Sequence, residues 1–423
     1  MKNFCCRPAD ILLPSRQTIE SGRWAAIACD QFTSEPDYWS AADEFVGNAP
    51  STLRLMLPEI YLSETGERLP IIHAAMRRAL EEQLILHESC MIAVERTQSD
   101  GAVRHGLVAQ IDLEHYDYTK GASSLIRATE GTVLERIPPR VAVRRDAPIE
   151  LPHVMLLIDD PQKTVLEPLF TPAEQSEREI AYDCELMLGG GHIRGSFLTK
   201  EQTERVTAAL DALIEPCAIE ARYGDASLAP LLFAVGDGNH SLASAKAAYE
   251  EIKAAIGAKA AAEHPARYAL VEIVNLHDDA LGFEPIYRVM FGVDPEHVLA
   301  QLRDYAAGLD GAGEAQTVHC VGTFAPCDVT FEHPTQQLTV GTLQAFLDAY
   351  LADHPEATVD YIHGEDSLLA LASKDNAIGF LFDGMEKTQL FRTVIYDGAL
   401  PRKTFSMGHA RDKRYYMECR KIK

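Results

Sequence analysis

The chain has 423 residues, enough to bury one large hydrophobic core or two ordinary ones. Hydrophobic residues make up 47% and charged residues 24%, which are the proportions of a soluble globular protein. The formal net charge of −24 argues against a nucleic-acid-binding protein, because such proteins normally carry a basic surface.

The cysteine pattern indicates a reducing compartment. The chain has nine cysteines, an odd number, and none forms a Cys-x-x-Cys pair. The N-terminal residues show no apolar core of a secretory signal, and no apolar run approaches the roughly 20 residues of a membrane span. We therefore expect a cytoplasmic protein with no membrane or nucleic-acid partner. The sequence does not indicate an oligomeric state.

The first candidate site residue is an acid at a predicted strand end. The apolar run 24–29 predicts a strand that ends at Asp30, and Gln31 and Thr33 follow directly. A carboxylate at the end of a strand occupies a common position for a catalytic group. The alternative is an aspartate that accepts hydrogen bonds within its own turn.

The next elements predict a scaffold. Residues 70–86 place apolar side chains at helical intervals, and residues 90–96 and 103–112 are typical of two strands. The residues Ser-Asp-Gly at 99–101 favour a hairpin turn between these strands.

An arginine cluster follows, with five arginines between residues 126 and 145. The planar guanidinium donates hydrogen bonds in a geometry that suits phosphate or carboxylate. We predict that Arg127 and Arg140 lie in the same pocket as Asp237. For Arg144 and Arg145, surface ion pairs are the better interpretation.

Glu130 stands inside this cluster. It is a candidate for a general base or for a residue that orients a magnesium-bound water. A salt bridge to Arg127 is an equally good interpretation of the sequence.

The densest candidate site is the segment 236–241. Residues 231–235 predict a buried strand, and from Leu242 the apolar spacing becomes helical until Gly257. Glycines in the connecting turn allow close approach to a ligand, and the N-terminus of the following helix favours an anion. The predicted phosphate-binding residues of the turn are Gly236, Gly238, Asn239 and Ser241.

Two further residues of this turn, Asp237 and His240, are candidates for a base or a metal contact. Ordinary turn chemistry is the alternative interpretation, in which Ser or Asn only caps the helix. The metal ligands themselves stay unassigned.

After Asp294 the pattern changes to alternating helices and short strands. Helices are predicted at 295–307 and 341–351, and strands near 316–323, 328–332, 358–362 and 377–382. These elements predict a second α/β lobe. The domain prediction is therefore a core over residues 1–292, a second lobe over 293–400, and a C-terminal segment over 401–423.

The C-terminal segment is basic and aromatic, and we expect it to pack back on the core rather than to be disordered. Lys403 and Ser406 are candidate phosphate contacts, on the hypothesis that residues 401–408 return to the turn at 236–241 and close the site. The alternative is a strand that completes a sheet and contacts no ligand.

Several common site motifs are absent from the sequence. It contains no Gly-x-x-x-x-Gly-Lys-Ser/Thr loop, no Gly-x-Ser-x-Gly elbow and no His-Glu-x-x-His motif. The glycines at 236–238 lack the third glycine of a dinucleotide fingerprint.

The chain resembles a bacterial family, domain-of-unknown-function family 1015, over nearly its whole length. The resemblance is carried by residues 28–34, 126–132, 275–278 and 401–408. Within this family a histidine usually precedes the arginine that stands here as Arg288, and Tyr287 replaces it. The family name implies no activity.

The segment Asp237-Gly-Asn-His-Ser241 is similar to the Asp-Gly-His-His-Arg motif of the ParB/sulfiredoxin-like superfamily. Members of this superfamily bind nucleotide phosphates and include free-serine kinases. The resemblance implies a mixed α/β (α+β) fold in which a ParB-like core binds phosphate or nucleotide and carries insertions. Because Ser241 replaces the terminal arginine of the motif, a basic group must come from another segment.

The resemblance and the candidate residues together favour a phosphotransferase. It would move a phosphoryl group between ATP, ADP or pyrophosphate and a small hydroxyl metabolite, with Mg²⁺ as the expected ion and serine as the acceptor that the resemblance suggests. Asp30 or Glu130 would take the hydroxyl proton. A nucleotide-binding switch without turnover and a small-molecule phosphatase are the alternatives.

Overall fold

The structure is a computed structural model that describes residues 5–132 and 134–423, apart from the side chain of Arg136. The chain divides into two compact units. The first comprises residues up to 128, residues 132–281 and residues 409–423, and the second comprises residues 129–131 and 282–408. The main division at 281/282 thus precedes the predicted one at 292/293. Of the predicted C-terminal segment, residues 401–408 belong to the second unit and residues 409–423 belong to the first.

The first unit contains most of the secondary structure up to residue 281. Its strands in this range are β1 (Cys6–Arg7), β2 (Ala9–Pro14), β3 (Leu84–Cys90), β4 (Ile92–Thr97), β5 (Val103–Asp112), β6 (Tyr116–Asp117), β7 (Ile126–Ala128), β8 (Ile149–Glu150), β9 (Met155–Ile158), β10 (Ile180–Glu185), β11 (His192–Phe197), β12 (Phe233–Asp237) and β13 (Tyr268–Asn275). Its helices are α1 (Arg16–Glu20), α2 (Pro36–Val46), α3 (Thr65–Glu82), α4 (Ile137–Arg145), α5 (Pro172–Ser176), α6 (Lys200–Leu213), α7 (Pro216–Tyr223), α8 (Asn239–Ile256) and α9 (Ala258–Ala261).

Short 3-10 helices connect these elements. They span Thr52–Arg54, Glu59–Glu64, Leu113–His115, Leu134–Arg136, Glu167–Phe170, Met187–Gly189 and Pro265–Arg267, with one more in the C-terminal segment at Ala410–Asp412.

A mixed sheet forms the centre of the first unit. Its strand order is β10-β11-β4-β5-β13-β9-β12-β7-β6, and β1 pairs with β5. Two separate hydrophobic clusters cover its two faces. Around β4, Ile92 and Val94 belong to one cluster, and the alternate residues Met91 and Ala93 belong to the other. The sheet is therefore buried on both faces, which explains the continuous apolar runs of β9, β12 and β13.

The pairing of β9 with β12 determines where the candidate site forms. These strands are antiparallel, with Asp237 opposite Met155. Because antiparallel neighbours run in opposite directions, the C-terminal end of β12 lies beside the N-terminal end of β9. Residues 153 and 154 are thereby brought next to the turn that follows Asp237.

The second unit is built on an antiparallel sheet. Its strands are β14 (Phe283–Phe291), β15 (Gln316–Gly322), β16 (Cys327–Phe331), β17 (Thr358–His363), β18 (Ala377–Leu381) and β19 (Phe405–Met407), and its helices are α10 (Pro295–Ala307), α11 (Thr339–Asp353), α12 (Glu365–Ala372) and α13 (Lys387–Tyr396). The strand order is β16-β15-β18-β14-β17, with β19 paired to β14. The elements predicted at 295–307, 316–323, 328–332, 341–351, 358–362 and 377–382 are confirmed within a few residues. The predicted mixed α/β fold class is confirmed as well.

The scaffold predictions for the first unit also hold. Helix α3 contains most of the predicted helix 70–86, and Pro70 is accommodated within its first turns. Strands β4 and β5 form the predicted hairpin, in which the Gly101 amide donates to the Gln98 carbonyl at 3.0 Å. In the described part of the chain, no helix combines the length and the hydropathy needed to cross a membrane.

The predicted strand over residues 24–29 is wrong. In this buried segment only Ile27 forms a β-bridge, to Tyr415 of the C-terminal segment. The other backbone groups find different partners: the Ala26 amide donates to the Thr52 hydroxyl at 2.9 Å, and the Ala28 amide donates to the Arg414 carbonyl at 3.0 Å. The segment is apolar because it is buried, and its hydrogen bonds are satisfied without a ladder.

Residues 409–423 are an integral part of the first unit. The last strand, β20 (Arg420–Lys421), pairs with β8, and the backbone of Cys419 forms an antiparallel β-bridge with Leu12. Tyr415, Tyr416, Met417 and Cys419 are all buried in the core.

Arg414 anchors this segment through a buried ionic network. Its guanidinium forms ion pairs with Glu272 of β13 and, at 2.5 Å, with Glu418. Its Nε donates to the Pro152 carbonyl at 3.1 Å, and Tyr182 donates to Glu418 at 2.6 Å. Arg414, Glu272 and Glu418 are at most 3% exposed. Burial opposes ionisation of Glu272, but Arg104 and Arg414 hold its pKa below the ordinary value.

We expect Arg414→Met to lower the free energy of unfolding by about 3–5 kcal/mol, because it leaves the buried Glu418 without its cation and the buried Glu272 with Arg104 alone. Urea denaturation followed by circular dichroism measures the change. Arg16→Met is the matched control: Arg16 also pairs with a glutamate, Glu20 at 2.8 Å, but its side chain is 86% exposed, so the control should change little. Equal losses in both variants would contradict the structural importance of the network.

We also expect stability to fall in acid. The pKa of Glu150 is lowered: burial alone would raise it, but Arg420 and Arg144 outweigh that effect, as Arg414 and Arg104 do for Glu272. Such groups stabilise the fold above the unfolded pKa of about 4.3, and this contribution is lost as the pH falls through the lower folded pKa. Melting temperatures recorded between neutral pH and about pH 3 should therefore decrease below about pH 4. A melting temperature that is constant or rises in this window would be the contrary result.

Candidate functional site

The predicted strand–turn–helix at residues 231–257 is confirmed. Strand β12 ends at Asp237, Gly238 adopts a left-handed conformation with φ +80°, and α8 begins at Asn239. The helix thus starts two residues before the predicted start at Ser241. Gly238 is the N-cap residue, and no side chain makes a capping hydrogen bond, so the capping interpretation of Ser241 does not apply.

Gly238 is required for two independent reasons. Its positive φ disfavours a side chain, and a Cβ atom there would lie 3.1 Å from the Cα atom of Val154. The same Cβ would lie 3.4 Å from the His153 ring. Close contact between the turn and residues 153–154 therefore depends on a glycine at this position.

His153 is the centre of the polar site. Its Nε2 lies 2.9 Å from the Ser241 hydroxyl, and its Nδ1 lies 2.7 Å from the Tyr416 hydroxyl. The Asp30 carboxylate is 3.8 Å from the same Nε2 atom. The His153 side chain is 6% exposed and that of Asp30 is 28% exposed. The aspartate is thus partly exposed, while the imidazole is buried.

Lys413 adds a positive charge to the site. Its ammonium group lies 3.2 Å from the Asp237 carboxylate, which also accepts a hydrogen bond from the Gly238 amide at 3.0 Å. Lys413 reaches this position because Arg414 and Tyr416 pair with Ala28 and Ala26 in the segment before Asp30. Asp30, Asp237, His153, Ser241 and Lys413 are therefore neighbours although they are distant in sequence.

The electrostatics of the site favour an ionised Asp30. Burial would raise the pKa of this carboxyl, but His153, a hydrogen bond from Gln31, and Lys413 together lower it below the ordinary value. Burial raises the pKa of Tyr416 well above its ordinary value, and that of the Cys29 thiol to about 12. The tyrosine and the cysteine are thus neutral at physiological pH, while the aspartate is charged.

A cavity of about 160 Å³ lies beside Ser241. Its wall is mainly apolar, with Met56, Leu62, Met76 and Leu242 among its residues. Its polar lining includes Glu59, Arg140, His153, Ser241, Ser244 and Tyr416. An apolar cavity with a few polar groups is the usual form of a small-molecule site.

The two arginines predicted for the site have different environments. Arg140 lines this cavity, where it forms an ion pair with Glu59. Arg127 is 4% exposed, and its guanidinium donates to the carbonyls of Ser124, Ala229 and Pro230. Burial lowers its pKa, and Tyr223 acts in the opposite direction. These contacts explain Arg127 as a residue that joins β7 to the segment before β12.

Three further predicted residues belong to the second unit. Glu130 forms a parallel bridge with Leu400, and Ser406 lies in β19, which pairs with β14. The Lys403 carbonyl accepts a hydrogen bond from Arg288 at 2.9 Å. The interpretation of residues 405–407 as a strand that completes a sheet agrees with this pairing, and the closing of the site by residues 401–408 stays a prediction.

Arg288 has the character of a structural residue. It is fully buried, and its guanidinium donates to the carbonyls of Ile286, Arg402 and Lys403 and to the Gln344 amide oxygen. Burial lowers its pKa to about 10, while Tyr361 and Glu130 act in the opposite direction. No catalytic role is needed to explain this arginine.

The remaining predicted residues lie in the connection between β12 and α8 and at the N-terminal end of α8. Gly236 packs against Leu157, whose Cγ would lie 2.8 Å from an added Cβ. Asn239 and His240 begin the helix, and the His240 carbonyl accepts the Ser244 hydroxyl at 2.7 Å. Among the described residues, no three His, Cys, Asp or Glu side chains are grouped as a metal site.

The sequence did not indicate His153 or Tyr416, and it gave Lys413 no role in the site. His153 precedes a short buried strand, and only the pairing of that strand with β12 reveals its neighbours. In the sequence, Lys413 and Tyr416 are parts of a basic, aromatic tail without a recognisable site motif. Their neighbours depend on the path of this tail, which the ion pair of Arg414 with the distant Glu272 helps to determine, and no local sequence pattern indicates that pair.

Residues 10–397 match the family model described as "Protein of unknown function (DUF1015)". Because the match spans most of the chain, the protein belongs to this family, as the resemblance predicted. No curated protein matches the sequence significantly.

Solved structures with partial similarity include a free serine kinase in complex with AMP, at 11% identity and a TM-score of 0.37, over 73% of this chain and 90% of that chain. SbnI from Staphylococcus aureus has 10% identity and a TM-score of 0.34, over 73% and 85% of the two chains. A conserved hypothetical protein from Pyrococcus furiosus has 11% identity and a TM-score of 0.34, over 71% and 90%. Similarity at this level assigns neither an activity nor a site residue to this protein.

We expect Gly238→Ala to displace residues 153–154 in addition to straining the backbone. Gly224→Ala is the matched control, because Gly224 is also left-handed, with φ +86°, but has open space around it. Each left-handed alanine should cost about 1–2 kcal/mol in urea denaturation. Only Gly238→Ala should also shift the imidazole resonances of His153 in nuclear magnetic resonance spectra, and unchanged resonances would refute the close contact.

Proposed function

We propose that the first unit is a phosphotransferase, which moves a phosphoryl group between a nucleotide or pyrophosphate and a small hydroxyl metabolite. One observation carries the proposal. Lys413 is held by Asp237 at a left-handed glycine turn, within the electrostatic influence of the ionised Asp30. A cation and a helix N-terminus can stabilise the charge of the phosphates, and an accessible carboxylate can orient and deprotonate the attacking hydroxyl in phosphoryl transfer.

Phosphate binding is assigned to the turn and to Lys413. The N-terminus of an 18-residue helix carries partial positive charge, and the left-handed Gly238 permits close approach of the ligand to the backbone. The superfamily motif ends in an arginine where this chain has Ser241. Lys413 supplies the missing positive charge from the C-terminal segment.

Asp30 is assigned to the acceptor. Its lowered pKa means that it is ionised at neutral pH, and its exposure allows it to reach a hydroxyl group outside the protein core. It would orient the acceptor hydroxyl and take its proton as the oxygen–phosphorus bond forms. Serine and similar hydroxyl metabolites are the acceptors to examine first.

Mg²⁺ fits this arrangement as an ion bound jointly by the phosphates and by one or two carboxylates. Mg²⁺ typically keeps several waters and needs no dedicated cage of protein ligands. Asp30 and Asp237 are the residues that would hold it, and the ion would neutralise charge on the transferred group.

A nucleotide-binding switch without turnover and a small-molecule phosphatase use the same phosphate-binding groups. They differ from a phosphotransferase in what happens to the phosphoryl group. The buried His153 and the apolar wall of the cavity beside Ser241 favour transfer, because apolar side chains around the acceptor reduce the amount of water near the reacting phosphorus.

The test is incubation of the full-length protein with Mg²⁺, a donor (ATP, ADP or pyrophosphate) and a panel of hydroxyl metabolites that includes serine, followed by ³¹P nuclear magnetic resonance. We expect a new phosphate ester. Release of inorganic phosphate alone would identify a phosphatase, and ligand binding without any new phosphorus signal would identify a switch.

Lys413→Met should weaken binding of the donor by about 1–3 kcal/mol, because it removes a charge-assisted hydrogen bond. Lys163→Met is the control: Lys163 also lies 3.2 Å from an aspartate, Asp279, but on an exposed surface. Asp30→Asn should abolish the ester, while donor binding measured without Mg²⁺ should persist. Calorimetric titration with each nucleotide measures the binding, and wild-type affinity in Lys413→Met would place the phosphate site elsewhere.

A further inference from the structure

We propose that the phosphoryl group passes through the protein itself, on the hydroxyl of Ser241, before it reaches the acceptor. This inference rests on the proposed phosphotransferase function and adds a covalent intermediate to it. Ser241 is the nucleophile, His153 is its base, and Tyr416 is a positioning residue.

The hydroxyl of Ser241 has the contacts of an activated nucleophile. Its oxygen lies 2.9 Å from Nε2 of His153, within the range of a nucleophile–base hydrogen bond. Ser241 is the third residue of α8, and the N-cap position is held by Gly238, so the Ser241 hydroxyl does not serve as the helix cap. The hydroxyl is therefore directed to the imidazole instead of the backbone.

The imidazole is held in place from its other side. Nδ1 lies 2.7 Å from the Tyr416 hydroxyl, which also accepts a hydrogen bond from the Cys29 amide at 3.2 Å. In the tautomer with its proton on Nδ1, the ring donates to Tyr416 and presents the lone pair of Nε2 to Ser241. The preceding residue, Pro152, is fixed by the hydrogen bond of its carbonyl with Arg414.

Asp30 completes the arrangement. Its carboxylate is 3.8 Å from Nε2, so it stabilises the imidazolium that forms when His153 takes a proton. A nucleophile, a base, a group that orients the base and a nearby carboxylate together satisfy the geometric requirements of nucleophilic catalysis.

Ser241 also lies between the proposed binding sites of the phosphate donor and the acceptor. It belongs to the first turn of α8, directly after the glycine turn, and it lines the cavity of about 160 Å³. The donor phosphates would bind at the turn, and the cavity would hold the apolar part of the acceptor. A phosphoserine in the first turn of a helix is further stabilised by the positive end of the helix dipole.

In the first step, Oγ of Ser241 attacks the terminal phosphorus of the donor. The Oγ–P bond forms, the bond from phosphorus to the leaving phosphate oxygen breaks, and the serine proton moves to Nε2 of His153. In the second step, the acceptor hydroxyl attacks the phosphoserine and loses its proton to Asp30. The Oγ–P bond breaks, Oγ takes the proton back from His153, and Asp30 then releases its proton to solvent.

Ser244 is a natural comparison within the same helix. It also lines the cavity, but its hydroxyl donates to the His240 carbonyl at 2.7 Å, as helical serines often do. No imidazole contacts it in the hydrogen bonds that the structure describes. Ser244 should therefore stay unmodified under conditions that label Ser241.

The experiment is incubation of the full-length protein with Mg²⁺ and ³²P-labelled ATP, ADP or pyrophosphate without an acceptor, followed by rapid acid quenching and peptide mass spectrometry. We expect label on the peptide that contains Ser241, and its loss when a hydroxyl acceptor is added. Ser241→Ala should abolish both the label and the phosphate ester, and Ser244→Ala should retain the label, which forms without an acceptor in the cavity.

His153→Gln should slow labelling by more than about a hundredfold, the usual contribution of a general base. Its melting transition should be measured beside that of Ser241→Ala, which removes only one oxygen atom and serves if the histidine variant does not fold. An ester formed at the wild-type rate by Ser241→Ala would overturn the covalent intermediate but leave the phosphotransferase function intact. Neither label nor ester with any donor would overturn both.

Discussion

The candidate site depends on one buried charge, the guanidinium of Arg414. This group connects Glu272 on a central strand, Glu418 further along the tail and the carbonyl of Pro152. Burying these charges costs free energy, and their mutual attraction offsets that cost only while all partners are present. The network therefore stabilises one specific path for residues 409–423. That path brings Lys413 to Asp237 and Tyr416 to His153.

A second constraint is the antiparallel pairing of two short buried strands. The pairing of Asp237 with Met155 places the end of β12 beside the start of β9. A glycine at 238 is then the residue that allows both the left-handed turn and the approach of Val154. The polar groups follow from this geometry, since His153 and Ser241 flank the two strands at the same end of the sheet.

The side-chain chemistry of an arginine suggests phosphate binding, but its burial can indicate a structural role instead. Arg127 and Arg288 have the groups that bind phosphate, but in both residues the guanidinium donates mainly to backbone carbonyls that strands and helices leave available. A buried arginine with five donors can satisfy several such carbonyls at once. The positive charge proposed for phosphate binding is instead a lysine at the edge of the site, Lys413, whose side chain keeps part of its surface exposed.

Local patterns in the sequence predicted the strand before Gly236, the helix after it and most elements of the second unit, because hydrophobic periodicity and turn residues act over short distances. They also identified Asp30, Asp237 and Ser241 as site candidates, although the supposed strand before Asp30 does not form. Tertiary structure alone decided that His153, Lys413 and Tyr416 meet these residues. These contacts join positions more than 80 residues apart, for example Ser241 to His153 with a separation of 88. They depend on strand register and on the path of the tail, and both are set by the packing of distant segments rather than by local preference.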